Sequence, residues 1–259
     1  HAEEESGELL VNNYPIEVTA TVNPISISPG NADGYYDHTV IQYQVSERAF
    51  VTVKIWDTNT NQVVKILRDG LDTPQHGYVI WDGTDHNGNP VSLGEQTEYI
   101  VEITAQDKEI LEDVVSEHIT VTVDNIGPAA ANIYLLNGEV FVTTPTITVA
   151  GISNDVTSDI LLYVNGIYQG VVGTTPQYPG YFEFPVALQE GMNTIMIRLR
   201  DSAWNMGEYS NIISLTLDSS APFINITNPE AEQLFRHTPI RLQANVSDLG
   251  GVGVSPSSV

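Results

Sequence analysis

Apolar side chains return at every second position through most of this chain, and that period decides what it can fold into. In "FVTVKIWD" Val51, Val53 and Ile55 share one face, opposite Thr52 and Lys54. In "EYIVEITAQ" Tyr99, Val101, Ile103 and Ala105 alternate with Ile100, Glu102 and Thr104, and "HITVTVD", "NTIMIRLRD" and "NIISLTLD" behave alike. A period of two places one set of side chains on each side of an extended strand. Strands that are apolar on one side only belong to antiparallel sheets that bury one face and wet the other. Strand runs recur about every 8–14 residues, broken by Asn-Gly, Asp-Gly and Pro, a spacing that suits a sandwich and leaves no room for crossover helices. The fold class expected is all-β, as tandem immunoglobulin-like or fibronectin-III-like antiparallel sandwiches.

A longer period lies above the short one. "TVTVDNIGPAA" closes one unit at Asp124 and "SLTLDSSAPF" closes the next at Asp218. Each puts an alternating strand, an aspartate and a proline in the same order. This predicts an N-terminal extension over 1–14, sandwiches over 15–124 and 125–218, and a partial third domain over 219–259. Proline in each short linker fixes φ and removes a donor, so the joints are expected to be semi-rigid and the molecule a rod. The last piece supplies about two strands, too few for stability in water. Either the polypeptide continues past Val259 or another chain supplies the missing strands. The start at His1-Ala2-Glu3 reads as a mature or engineered terminus.

Charge narrows the partners. Across 259 residues, 33 acidic side chains oppose nine basic ones, for a net charge of −24. Such a field repels nucleic acid and anionic lipid, so neither is expected as a partner. No apolar run approaches the roughly 20 residues that a membrane span needs, and no membrane insertion is expected. The chain has no cysteine, which excludes disulfides, thiolate metal sites and a cysteine nucleophile.

The opening loop "SPGNADGYYDHT" is the main chemical candidate. Asn31, Asp33 and Asp37, with a carbonyl from Tyr35 between them, follow the close oxygen spacing that suits Ca²⁺. No bidentate glutamate follows and no helix flanks the loop. The competing reading is an Asx-turn loop whose side chains bond their own backbone and aim the next strand. At the joints, Asp124 and Asp218, with Asp201 and Asn205 of "DSAWN", form a second candidate cation set. Such an ion would offset the crowding of negative charge. In "WDGTDHNGN", Asn87-Gly88 predicts a type I′ turn and Trp81 a packing plug beneath it. Tyr35, Tyr36, Tyr178 and Tyr181 fit either a sugar platform or sandwich edge caps. The six histidines show no zinc-ligand pairing, and no nucleophile–histidine–acid set or phosphate loop is recognisable, so no catalytic residue is assigned.

The run from Ser28 to Gly70, with "GYVIWDGTDHNGNPVSLGEQTEYIVEITAQD", resembles the Ig-like domain of the flagellar hook-capping protein. That domain also occurs at the ends of secreted bacterial proteins. The likeness covers about residues 15–123. Trp81, Asp82, Gly83, Asp85, Gly88 and Leu93-Gly94 match its second motif, while Gly30-Asn31-Ala32-Asp33 departs from the tighter first one. Residues 131–218 resemble a bacterial Ig-like repeat of surface proteins and secreted hydrolases, through an Asn-Gly hairpin, "EGMNTI" and "DSAWN". A partial repeat of that kind starts at 219. The resemblance implies an extracellular or cell-surface setting and a non-catalytic structural role, as a spacer or as a subunit of a filament or surface layer. Partners would be other subunits or neighbouring domains, and a strand from "GELLVNNYPIEVTATV" of one copy could complete the open edge of another. The alternative is an accessory region of a secreted protease or other hydrolase.

Overall fold

The structure, a computed structural model, describes residues 14–94 and 96–248. The N-terminal extension up to residue 13, with the first seven residues of "GELLVNNYPIEVTATV", and the end from 249 lie outside the described residues. No helix occurs among the described residues, and the chain divides into two compact units. Of the described residues, one comprises those up to 126 with Ala203–Asn205, the other those from 127 to 202 and from 206 to 248.

In the first unit β1 (Val18–Asn23) is followed by β2 (Ser26–Ile27), β3 (Thr39–Val45), β4 (Ala49–Asp57) and β5 (Gln62–Thr73). Then come β6 (His76–Trp81), β7 (Thr97–Asp107) and β8 (Val114–Val123). One sheet runs β1-β3-β6 and the other β2-β8-β7-β4-β5. All pairs are antiparallel except β2 with β8, which is parallel, with Ile27 opposite Val123. The chain therefore changes sheets between β1 and β2, across Pro24, where a missing N–H breaks the ladder. This two-sheet arrangement is that of an immunoglobulin-like or fibronectin-III-like sandwich.

The core is the set that period two selects. Val51, Val53 and Ile55 of β4 and Val101, Ile103 and Ala105 of β7 have no exposure, and Ile41, Tyr43 and Trp81 cover them from the other sheet. Burying each large apolar side chain stabilises the fold by about 1.5–3 kcal/mol. Trp81 packs edge-on to Tyr99 at 5.3 Å between ring centroids, and its indole N–H donates to the Thr84 carbonyl at 3.0 Å. The Tyr99 hydroxyl donates to the Val91 carbonyl at 2.9 Å, tying the start of β7 to the loop before it. Burial, and then the nearby Asp57 carboxylate, push the Tyr99 phenol up to about 12. It stays a donor at every physiological pH.

The second unit repeats the plan. It contains β9 (Asn132–Leu135), β10 (Phe141–Val142), β11 (Thr146–Ser153), β12 (Asp159–Val164) and β13 (Ile167–Thr174). They are followed by β14 (Gly180–Ala187), β15 (Gly191–Arg200), β16 (Met206–Tyr209) and β17 (Ile213–Leu217). Its sheets run β14-β11-β9 and β10-β17-β15-β12-β13, and β10 with β17 is again parallel. Asn165 and Gly166 both have positive φ, so the β12–β13 hairpin is a type I′ turn. Asn193, fully buried, explains "EGMNTI": its amide donates to the Gln189 and Gly191 carbonyls and accepts from the Gln189 N–H. It fastens the loop before β15 as Tyr99 fastens the loop before β7.

Within the same unit, β18 (Phe223–Asn228) pairs antiparallel with β19 (Gln243–Ser247). Register puts Ile224 opposite Val246 and Ile226 opposite Ala244, all on one face. Ile224 and Ile226 remain 61% and 55% exposed.

Trp81→Ala should cost about 3–5 kcal/mol by leaving a large cavity. Tyr99→Phe should cost about 1–3 kcal/mol, because the Val91 carbonyl loses its partner. Urea denaturation of the two variants measures both, and equal costs would show that the hydroxyl anchor matters as much as the indole volume.

Candidate functional site

The opening loop leaves β2 at a fully buried Ser28. The Ser28 N–H donates to the Tyr36 carbonyl at 2.8 Å, which closes the loop, and its hydroxyl donates to the Ala203 carbonyl at 2.6 Å. Inside the loop the polar side chains act on the backbone. Asn31 Oδ1 accepts from the Asp33 N–H at 3.1 Å, Asp33 Oδ1 from the Tyr35 N–H at 2.8 Å, and Asp37 Oδ2 from the Gly34 N–H at 3.0 Å. These are successive Asx-type turns. They support Ala32, Gly34 and Tyr36 at positive φ, a backbone that residues other than glycine rarely adopt.

Three sequence candidates meet here. The Asn31 amide donates to Asn205 Oδ1 at 3.1 Å, and the Asn205 amide donates to the Asp124 carbonyl at 2.8 Å. Asp124 Oδ1 accepts from the Ile126 N–H. Asp218 and Asp201 are half-buried and lie in the other unit. Asp218 occupies the place after β17 that Asp124 occupies after β8. The Asp124 N–H donates to the Ile27 carbonyl and the Asp218 N–H to the Val142 carbonyl, each at 2.9 Å.

Sequence reading missed Asn125 and the reach of Trp204. Asn125 Oδ1 accepts from the Gly30 N–H at 2.6 Å, and its amide donates to the Ser92 carbonyl at 2.8 Å. Trp204 stacks on Tyr35, with ring centroids 4.9 Å apart, and lies tilted against Tyr36 at 5.4 Å. Nothing in the local pattern marked the tyrosines as partners of a tryptophan so distant in the chain.

As a cation site the loop is a partial fit. Asp37 Oδ1 is buried and has no hydrogen-bond partner among the described residues, so an oxygen is left for an ion. Against this, no three His, Asp or Glu side chains among the described residues converge as a metal centre requires. The amide groups of Asn31 and Asn205 are occupied by each other, Ser28 and Asp124.

The "WDGTDHNGN" hairpin differs from its expected turn. Of the Asn87-Gly88 pair, Gly88 alone has positive φ. The Gly88 N–H donates to the Asp85 carbonyl and the Asp85 N–H to the Asn89 carbonyl, giving a three-residue loop of type I turn plus glycine bulge. Asp85 selects it: its carboxylate accepts the N–H groups of Asn89 and Asn87, which hold it below the usual carboxylate range. At the far end of β5, hydrogen bonds from Arg48 and then Lys108 hold Asp72 at about 2.

No protein-family model matches this sequence, and no curated protein matches it. Several solved structures are similar at low identity. The chain is similar to the fibronectin(III)-like modules of Clostridium thermocellum CbhA, at 13% identity over 77% of this chain and 94% of that one, with a TM-score of 0.42. It is also similar to the chicken CNTN1 FN1–FN3 domains, at 10% identity over 78% and 66%, TM-score 0.41. A tetra-tandem repeat from the extending region of a large adhesion protein matches at 17% identity over 84% and 53%, TM-score 0.32.

Both Asp72 and Asp85 have folded-state values below their unfolded ones, so the stability they contribute is complete above an unfolded carboxylate value of about 3.9. It is lost as pH falls through the lower folded value, which for Asp72 is about 2. Side-chain carboxyl resonances followed by NMR through this range should show Asp72 titrating last. Asp72→Asn should flatten the acid limb of the stability profile, and an Asp72 midpoint near the ordinary value would refute the pairing.

Proposed function

We propose that this chain is a non-catalytic, load-bearing spacer of a secreted or cell-surface protein. The supporting observation is the parallel closure repeated in both sandwiches. In the first, Thr122 and Asp124 of the last-strand region donate to the Ile25 and Ile27 carbonyls, both at 2.9 Å. In the second, Thr216 and Asp218 donate to the Val140 and Val142 carbonyls at 2.8 and 2.9 Å. Chain enters each sandwich near one of these strands and leaves from the other. Pulling on entry and exit loads the hydrogen bonds side by side, in shear, so several must break together. The extracellular setting draws on the resemblance of 15–123 to the hook-cap type of Ig-like domain and of 131–218 to surface-protein repeats. The acidic surface, net −24, suits a solvated spacer.

Stretching single molecules from their two ends tests this. Each sandwich should unfold as a separate abrupt event, releasing roughly 100 residues, or about 330–360 Å of extended chain. Asp124→Pro removes one clamp donor and should lower the force of one event only; Asp218→Pro should lower the other. Gradual extension at low force, or no effect of either proline, overturns the reading.

The proposal has a separable second part, calcium on the opening loop, supported by the unmatched Asp37 Oδ1. An ion that binds only the folded loop raises stability by about 1.4 kcal/mol at tenfold excess over its dissociation constant. Melting in millimolar calcium should therefore exceed melting in chelator, and Asp37→Asn should abolish the difference. Identical melting in both conditions removes the ion and leaves the spacer reading intact.

A further inference from the structure

The outer face of the β1-β3-β6 sheet is built differently from the rest of this acidic molecule. Its cross-strand rungs read Thr21–Gln42–Tyr78 and Thr19–Gln44–His76, with Asn23–Val40–Ile80 beside them. None of these outward side chains is an Asp, Glu, Lys or Arg. The first two rungs line a shallow depression of about 410 Å³, whose lining contains no Asp, Glu, Lys or Arg. All six of their side chains are exposed, and none has a side-chain hydrogen-bond partner among the described residues.

Two other faces show that this is not the general rule for the chain. The outer face of the five-stranded sheet carries Lys54, Glu98 and Glu102, with Glu102 accepting from the Trp56 indole and facing His118. On the matching face of the second sandwich, Glu183 stands on β14 and takes the Tyr181 hydroxyl. There Glu102 and Glu183 are already engaged by neighbouring side chains.

We propose that the β1-β3-β6 face binds an uncharged oligosaccharide. β3 is hydrogen-bonded along both edges, so the floor offers no backbone groups to an incoming peptide strand. What it offers is side chains: two primary amides, each with two donors and an acceptor, and two hydroxyls that donate and accept. Sugar hydroxyls also donate and accept, so they pair with both kinds of group. Rungs two residues apart are separated by about 6.8 Å along the strand and about 4.8 Å across it. That grid is on the scale of a pyranose ring and lets neighbouring hydroxyls be held together. Tyr78, 67% exposed, adds an apolar ring with a polar tip against which a sugar's C–H face packs. The ligand is uncharged because the depression holds no Lys or Arg to offset a carboxylate or sulfate against a net charge of −24.

The test is a two-dimensional NMR titration with cellohexaose, xylohexaose, mannohexaose and chitohexaose, and with oligogalacturonate as the anionic control. At least one uncharged hexasaccharide should saturably shift the Gln42 and Gln44 side-chain amides, with oligogalacturonate leaving them in place. Tyr78→Ala and Gln42→Ala should each weaken binding roughly tenfold or more, about 1.4 kcal/mol. Tyr134→Ala, on the matching face of the second sandwich, should leave it unchanged. Because Tyr78 and Gln42 are exposed, both variants should melt with the parent protein, which separates lost binding from lost folding. Absence of saturable shifts with every uncharged probe overturns the proposal. So does equal binding of oligogalacturonate, or undiminished binding by Tyr78→Ala. Concentration-dependent shifts of the same amides without sugar would assign the face to a second copy of the chain instead.

Discussion

A strand that is apolar on one side only is unstable until a second layer covers that side, and every other feature of this chain follows from meeting that requirement. In each sandwich the cover comes from the chain itself, which must cross from one sheet to the other within a few residues. The crossing that divides the first strand lies between β1 and β2 in the first unit and between β9 and β10 in the second. Because the first strand moves to the opposite sheet, its second half meets the last strand running the same way. The parallel pairs of β2 with β8 and β10 with β17 are thus consequences of closing the core. The hairpin β18–β19 shows the same one-sided pattern without a second layer among the described residues, and its isoleucines stay exposed.

The carboxylates obey a different logic. A chain with so large an acidic excess cannot neutralise its aspartates with its nine lysines and arginines. It uses backbone N–H groups instead. Asp33, Asp37, Asp57, Asp85, Asp107 and Asp124 each accept from a nearby main-chain donor. Each such contact satisfies a loop donor and fixes a turn, so negative charge is spent on aiming strands. The oxygen-rich spacing of the opening loop serves this purpose whether or not an ion joins it.

How far the sequence foretells the structure depends on the range of the interaction. Strand faces were legible because parity is local: Val101, Ile103 and Ala105 are buried in the order the alternation gives. The Asn165-Gly166 turn was legible for the same reason. Asn87-Gly88 misled because Asp85, two residues before the dipeptide, gathers the N–H groups of Asn87 and Asn89 and converts a two-residue turn into a bulged three-residue one. The Asx turns of the opening loop were open as one of two readings, since the same side chains that bond backbone can bond an ion. Hidden altogether were Trp204 on Tyr35 and Asn125 on Gly30, contacts set by tertiary closure between segments far apart in sequence. A site built from such contacts has no local signature.

The proposed clamp and the proposed sugar face lie on different sheets of the first sandwich. The parallel closure belongs to the sheet containing β2 and β8, whereas the uncharged rungs belong to β1, β3 and β6. A ligand on the latter touches side chains that point away from the core and no hydrogen bond of the clamp. Its binding therefore neither adds to nor interrupts the shear-loaded bonds, and tension on the clamp need not deform the face. The crossing at Pro24 is where the two meet, because β1 and β2 are successive pieces of one strand direction divided between the sheets. Proline has no N–H there, so the β1 ladder ends at the crossing. A residue with an N–H at this position would let β1 run on in its own sheet, in competition with the closure on which the proposed clamp rests.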